Sequence, residues 1–336
     1  MRAVSVAPMM DRTDRFHRWM MRLLTRETLL YTEMVTTRAV LHGDRDLLLK
    51  LDPVEHPIAV QLGGDDPHEL AEAAKIAVEV YGYDEVNLNV GCPSDRVQRG
   101  RFGACLMAHP EVVAEGVAAM QQAVDVPVTV KHRIGIDDID QYEHMLRFVD
   151  VVAAAGCERF TVHARKAWLK GLSPKQNRNV PPLRHEEIWR LKRERPSLFI
   201  ETNGGVKTHD AIARHLEHLD AVMIGRAAWD TPYLFAEMDS RYFNRPDPGL
   251  QPDEVVHQML DFTMRWMEKG LPAHRIYRPA LNIFAGTPGS RAFKRVLSER
   301  HREDPRVLLP AALEAVERSR EISRQRHGDA AREANP

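Results

Sequence analysis

Cysteine is scarce in this chain: three in 336 residues (Cys92, Cys105 and Cys157), with no C-x-x-C pair. An odd, dispersed set of thiols excludes a cysteine-based zinc ribbon and a disulfide-stapled scaffold, and it suits a reducing compartment. Long hydrophobic runs are missing as well; none approaches the ~18 residues that a membrane-spanning helix needs. The short apolar stretch Ala3 to Met10 is followed at once by Asp11, Arg12 and Asp14, unlike a secretory signal, so a cytoplasmic protein without membrane contact is expected. Sixteen histidines carry no H-E-x-x-H or His/Cys ligand spacing, and neither a P-loop nor a Rossmann fingerprint occurs. No metal site is therefore expected. An excess of one charge is absent too, since 47 Lys and Arg face 48 Asp and Glu. What remains is 43% apolar and 28% charged, an ordinary globular composition that excludes disordered and collagen-like classes.

The neutral total hides an asymmetry. Residues 251–336 carry 15 basic and 12 acidic side chains. The stretch His163 to Asn179 holds Arg165, Lys166, Lys170, Lys175 and Arg178 without one acid, and Arg275 to Arg306 holds eight basic residues against three acidic. Two basic patches on a neutral chain point to a polyanion met at defined places, although solvated loops are the simpler reading of either alone.

Eight short runs rich in β-branched residues alternate with helix-like intervals: Ala3–Ala7, Leu29–Met34, Ile58–Leu62, Val86–Val90, Val128–Lys131, Arg159–His163, Leu198–Thr202 and Ala221–Gly225. Between them, segments such as Pro67–Tyr81 and Pro110–Ala123 repeat apolar residues at three and four. Eight strand–helix units predict a closed (β/α)8 TIM barrel over residues 1–243, with a doubly wound sheet as the competing fold. Asn244-Arg-Pro-Asp-Pro-Gly249 then reads as a linker. Beyond it, Asp253–Lys269 and Pro310–Arg326 predict amphipathic helices and no strand, hence a small C-terminal all-helical domain over 250–327 and a frayed polar tail over 328–336.

Chemistry in such barrels gathers where strands end. Here the ends read Pro8-Met9-Met10, Gln61, Asn87-Leu-Asn89-Val-Gly-Cys92, Lys131-His-Arg133, His163-Ala-Arg165, Asn203-Gly204-Gly205 and Gly225-Arg226. Any one of these is unremarkable; their joint placement favours a site. Glycines ending strands seven and eight let backbone N–H groups approach a phosphate, and Arg226 adds a charged fork. Lys131 can hold a fixed positive charge beside an electron-accepting ring, which suits a flavin. Cys105 and Cys157 read as small buried hydrophobes. Cys92, in a Gly-Cys-Pro loop, reads as an accessible thiol able to donate a proton or attack as a nucleophile.

The strings Ser5-Val-Ala-Pro-Met-Met-Asp11, Asn87-Leu-Asn-Val-Gly-Cys-Pro-Ser-Asp-Arg-Val-Gln98, Val130-Lys-His-Arg-Ile-Gly135 and Thr161-Val-His-Ala-Arg-Lys166 resemble the tRNA-dihydrouridine synthases. Gly103-Ala-Cys-Leu-Met107 and Trp168-Leu-Lys-Gly-Leu-Ser-Pro-Lys-Gln-Asn-Arg178 are similar to the bacterial A subgroup in particular. The likeness spans roughly residues 3–300. It implies an FMN-bound barrel with a helical RNA-binding domain, reducing the C5–C6 bond of D-loop uridines in tRNA at positions 20 and 20a with NADPH, and no obligate protein partner. Carried over by residue, it implies Pro8, Met9 and Met10 lining the flavin, Gln61 on its ring, and Lys131 and His163 holding it. Asn203, Gly204, Gly205, Gly225 and Arg226 take its phosphate. Asn89 binds the uracil edge with help from Arg133 and Arg165, and Cys92 is the proton donor. Lys175, Gln176, Arg178, Arg278, Arg291 and Arg295 are the implied RNA contacts. The chain departs from the pattern at Arg12, at Arg99 and in the segment Pro279–Phe284. Two other readings stay open on the sequence: an FMN barrel that reduces a free pyrimidine or small enone, and a non-catalytic RNA-binding barrel.

Overall fold

A computed structural model describes residues 2–333, and places a single eight-stranded parallel sheet there. Its strands are β1 (Val4–Val6), β2 (Leu30–Thr36), β3 (Ile58–Gly63), β4 (Glu85–Val90), β5 (Val128–Arg133), β6 (Arg159–His163), β7 (Phe199–Asn203) and β8 (Ala221–Ile224). Their order is β1-β8-β7-β6-β5-β4-β3-β2. A parallel bridge from Ser5 to Leu29 joins the two ends, with Val6 N–H on the Leu29 carbonyl at 2.9 Å. The sheet therefore closes, and the expected (β/α)8 barrel replaces the doubly wound alternative.

Strand positions follow from period-two alternation. Val60, Leu62, Val86, Leu88, Val90, Val130, Phe160, Val162 and Ile200 are buried on one face, against the helices. The alternate positions carry polar groups. These groups bond across non-neighbouring strands: Ser5 Oγ donates to Glu201 at 2.7 Å, Tyr31 Oη donates to Glu85 at 2.7 Å, and Arg159 meets Glu85 at 3.2 Å. Such pairs span the barrel interior. Alongside these polar groups, Ala7, Leu29, Tyr31, Ala59 and Met223 form a buried apolar cluster.

Two compact units divide the chain. The first comprises the described part of Met1–Arg18, Glu27–Gly225 and Tyr242–Asn244, and so holds every strand. The second comprises Trp19–Arg26, Arg226–Arg241 and the described part of Arg245–Pro336. The second unit thus recruits two segments from within residues 1–243, the span read from sequence as barrel. Trp19 explains the first recruitment, since it stacks on Phe262 at 3.9 Å between ring centroids. Buried Asp239 ties the second, accepting from Thr25 Oγ1 at 2.6 Å and Arg26 N–H at 2.7 Å.

Helix ends differ from the sequence reading in three places, the smallest being the expected Asp253–Lys269 helix, which runs Pro252–Met267. The expected Pro67–Tyr81 helix is α-helical to Lys75 and completes itself as one π turn, Ile76–Val80, before Gly82 at φ +77°. The last helix starts at Pro305 rather than Pro310 and runs through Gly328 to Glu333, so the backbone of 328–333 is helical; 334–336 lie outside the described residues. Pro305 takes the first position, where the missing N–H costs nothing, and Pro310 sits one turn further in. Among the described residues no helix is long and apolar enough to cross a membrane.

Candidate active site

Cys92 follows the end of β4 by two residues, and every backbone polar group around it is held. Its N–H donates to Asn89 Oδ1 at 3.0 Å, and its carbonyl accepts from Ala104 N–H at 2.9 Å. Gly103 makes that approach possible: at φ +76°, a Cβ there would stand 2.6 Å from the Cys92 carbonyl oxygen. The half-buried thiol is 3.6 Å from Ser94 Oγ. Cys157 is buried and pushed up by burial to about 12, which fits an inert thiol; Cys105, expected to be buried, is half-buried like Cys92, and burial raises its pKa as well.

Below Cys92 the polar groups form one directional chain. Asn89 Oδ1 takes the Gly91 and Cys92 N–H groups, so its Nδ2 must donate, and it does so to Gln61 Oε1 at 2.7 Å. Gln61 Nε2 donates to Asn87 Oδ1 at 2.8 Å, Asn87 Nδ2 to Thr129 Oγ1 at 2.8 Å, and Thr129 Oγ1 to Glu85 at 2.7 Å. All the amides point the same way and the chain ends on a carboxylate, the arrangement in which successive bonds polarise one another. Glu85 shares Arg159 with Glu201, which Arg159 meets at 3.3 Å. Burial works against the Arg159 charge, but Glu201, Tyr31 and Glu85 outweigh it and raise its pKa. This network was missed in the sequence, although Glu85-x-Asn-x-Asn89 and Arg159-x-Thr-x-His163 display the period-two polarity that reveals it.

The cations stand one strand over. In the β4–β5 register Asn89 is the partner of Lys131, and Lys131 Nζ donates to Asn203 Oδ1 at 3.2 Å. Burial, then the Arg133 charge, bring Lys131 down to about 8. Burial likewise holds His163 well below its ordinary value, with Arg133 and Lys131 adding to the effect, so its imidazole is neutral. Arg133 spends its guanidinium on backbone: Nε on the Gly91 carbonyl at 2.7 Å, and Nη1 on the carbonyls of Lys166, Arg165 and Asn177 at 3.1–3.3 Å. These bonds clamp the Gly91 loop to the 165–177 segment and leave Nη2 without a partner among the described residues. Asn89 is similarly committed, with one Nδ2 hydrogen left for a ligand.

Asn203 ends β7 with Nδ2 on the Met223 carbonyl at 2.9 Å, and Gly204 and Gly205 follow at φ +119° and +75°. A Cβ on Gly205 would stand 2.6 Å from Leu183 Cδ1, and one on Gly204 3.0 Å from His163 Cδ2. Neither N–H has a hydrogen-bond partner among the described residues. A side-chain-free turn with open donors beside a buried lysine fits an anionic, planar group. Gly225 follows β8; Arg226 is the next residue in the chain, opens the helix Ala227–Asp230, and belongs to the second unit. Of the β1 end, Met9 packs against the apolar interior cluster, Pro8 is half-buried and Met10 is exposed.

The implied RNA contacts fall into separate groups. Lys175, Gln176 and Arg178 are exposed around a single 3-10 turn that buried Asn177 anchors through the Trp168 backbone N–H and carbonyl at 2.8 and 2.9 Å. Arg165 is nearer the barrel and donates to the Pro181 carbonyl. In the second unit, Arg291, Lys294 and Arg295 line a cavity of about 780 Å³ at the start of the helix Ser290–Glu299. Arg278 lies apart from that lining, its guanidinium 5.2 Å above the Trp229 ring. Among the described residues no group of three or more His, Cys, Asp or Glu side chains is placed to hold a metal ion.

Known proteins resemble this chain in fold and, at higher identity, in sequence. A solved 2-naphthoyl-CoA reductase in complex with 2-naphthoyl-CoA superposes with a TM-score of 0.52 over 75% of this chain; at 10% identity the likeness concerns the fold alone, and the chain spans about half (51%) of that structure's length. Closer similarity comes from proteins named tRNA-dihydrouridine(20/20a) synthase. The Synechocystis protein is 55% identical over 88% of both chains. That of Pseudomonas aeruginosa is 52% identical over 94% of this chain and 95% of its own, and that of Escherichia coli K12 51% identical over 88% and 85%. The family model described as dihydrouridine synthase matches residues 5–319, nearly the whole of both units, and the chain belongs to the dihydrouridine synthase family.

Proposed function

We propose that this protein reduces the C5–C6 double bond of uridines in the D-loop of tRNA, at positions 20 and 20a, to 5,6-dihydrouridine, with bound FMN as cofactor and NADPH as reductant. The observation that carries the reading is Cys92 on a loop fixed at both backbone groups, just past the strand that pairs with the Lys131 strand, with Lys131 bonded in turn to Asn203 at the head of the Gly204–Gly205 turn. Lys131, His163, Gln61 and the turn would hold FMN, which when bound supplies the hydride chemistry that amino-acid side chains lack.

The remaining roles belong to the chain itself. A target uridine must unstack to reach the barrel mouth, and the free Nδ2 hydrogen of Asn89 offers an acceptor oxygen on the base one bond. Addition across C5=C6 needs a hydride at C6 and a proton at C5, and the Cys92 thiol supplies the proton as general acid. Neutral His163 offers one donor and one acceptor without adding a third charge beside Lys131 and Arg133. Lys175, Gln176 and Arg178 on the first unit, and Arg291 and Arg295 on the second, offer phosphate contacts to a folded RNA recognised by shape.

Colour tests this reading. The purified protein should be yellow, bleach anaerobically with NADPH, and regain its colour when unmodified tRNA is added. A protein that stays colourless after FMN is supplied, or one that bleaches and is reoxidised by free uridine but not by tRNA, would contradict it.

A further inference from the structure

Cys92 is bracketed by two side chains that reach the same distant stretch of chain. On its N-terminal side the Gly91 carbonyl accepts from Arg133 Nε at 2.7 Å; on its C-terminal side the Pro93 carbonyl accepts from Gln98 Nε2 at 2.9 Å. Each bracket then crosses to the acid-free segment 165–178. Arg133 Nη1 meets the Lys166 carbonyl at 3.1 Å, and Gln98 Nε2 donates its second hydrogen to the Leu169 carbonyl at 2.8 Å. With both hydrogens of one amide nitrogen, Gln98 thereby ties its own loop to a residue 71 positions further along the chain. Leu169 is itself fixed, its N–H on Asp137 Oδ1 at 2.8 Å, and Asn177 holds the other end of the segment through Trp168 and Leu172. The segment that carries Lys175 and Arg178 is therefore one braced unit, and the thiol loop hangs from it.

We infer that Gln98 is a positioning residue that couples RNA docking on the 165–178 segment to the placement of the Cys92 thiol. The inference rests on the proposed function, in which that segment meets phosphates and Cys92 gives up a proton. Its physical basis is rigidity: a carboxamide donating to two carbonyls fixes their separation, so a shift of Leu169 on loading the segment is passed to Pro93 and to the neighbouring thiol. An acid that is misplaced by an ångström loses much of its effect. Arg133 makes the parallel connection, so removal of Gln98 leaves the Cys92 backbone on Asn89 and Ala104 but frees the Pro93 side of the loop from the 165–178 segment.

The test uses Gln98→Met, close in shape but without donors, with Gln98→Ala as a second variant. In RNA-free protein, iodoacetamide labelling of Cys92, resolved from Cys105 and Cys157 by mass spectrometry, should quicken by about threefold or more as the loop loosens, with Cys157 unchanged. At saturating unmodified tRNA, single-turnover reoxidation should slow by roughly tenfold while tRNA Kd stays within about twofold. In a Lys175→Gln/Arg178→Gln background the same change should cost under about threefold, because less docking is there to transmit. Wild-type labelling and rate, an equal cost in both backgrounds, or a loss confined to Kd would each overturn the inference. Cys92→Ala, run alongside, separates the levels. If it reoxidises at the wild-type rate, the acid assignment fails and this inference with it; if it is slow while Gln98→Met is normal, only the coupling fails.

Discussion

The Asn89 side chain carries the Cys92 backbone: its Oδ1 accepts the Cys92 N–H at 3.0 Å while its Nδ2 donates to Gln61 at 2.7 Å. The thiol loop is thus the top of a hydrogen-bonded column that continues through Asn87 and Thr129 to the buried Glu85. A loop position is in this way tied to the barrel interior, and the interior charge has consequences for stability, cofactor affinity and catalysis.

Stability should depend on Arg159. It is 3% exposed and serves two carboxylates, Glu85 and Glu201, that are buried with it. Arg159→Leu would leave both without their cation, and removing one partner of a buried ionic set costs about 3–5 kcal/mol. Urea unfolding of the two proteins measures the difference. A loss under about 1 kcal/mol would mean that the carboxylates are satisfied by Tyr31, Thr129, Ser5 and Thr161 alone.

Lys131 sets a pH dependence. Its pKa falls on folding to about 8, so the buried cation costs stability below that pH, and the cost is relieved as pH rises from there toward the ordinary lysine value. An anionic ligand placed against it favours the charged form and takes up a proton on binding above pH ~8. FMN affinity should therefore be highest below about pH 8 and weaken above it, by titration of flavin fluorescence. Lys131→Met should bind more weakly at pH 7 and lose the change near 8. The same onset in both proteins would assign the titration to another group.

Neutralising Lys175 and Arg178 together should weaken tRNA binding and lower the slope of log affinity against log salt by roughly one unit for each phosphate that is no longer neutralised. Flavin content and bleaching by NADPH should be unaltered, since both residues are exposed outside the barrel. Wild-type affinity at every salt concentration would make the segment a solvated loop.

The sequence and the structure agree where local physics dominates. β6 at Arg159–His163 and the helix Pro110–Ala123 fall on their expected bounds, because each has a clean period and a sharp start or stop. The strand-end residues Gln61, Asn89, Lys131, His163 and Asn203 could be singled out because in a parallel barrel all such ends share one rim. What escaped is non-local. The contact of Gln98 with Leu169 depends on two irregular loops meeting, which no periodicity encodes. The reassignment of Trp19–Arg26 to the second unit depends on an aromatic stack with Phe262, 243 positions later. Arg133 shows a third kind of gap: its type and strand-end place are legible, but the bonds of its Nε and Nη1 to four carbonyls of distant loops are not.

The central claim is that Cys92 is the acid that completes uridine reduction. Its most direct measurement is single-turnover reoxidation of the NADPH-reduced protein by unmodified tRNA, with dihydrouridine counted in the product, for wild type, Cys92→Ala and Cys105→Ala. The account predicts that Cys92→Ala keeps its flavin, its bleaching by NADPH and its tRNA affinity, yet is reoxidised about 10²- to 10⁴-fold more slowly, the scale of a lost general acid. Cys105→Ala should match wild type. Reoxidation of Cys92→Ala at the wild-type rate, with dihydrouridine formed in equal amount, would contradict the account.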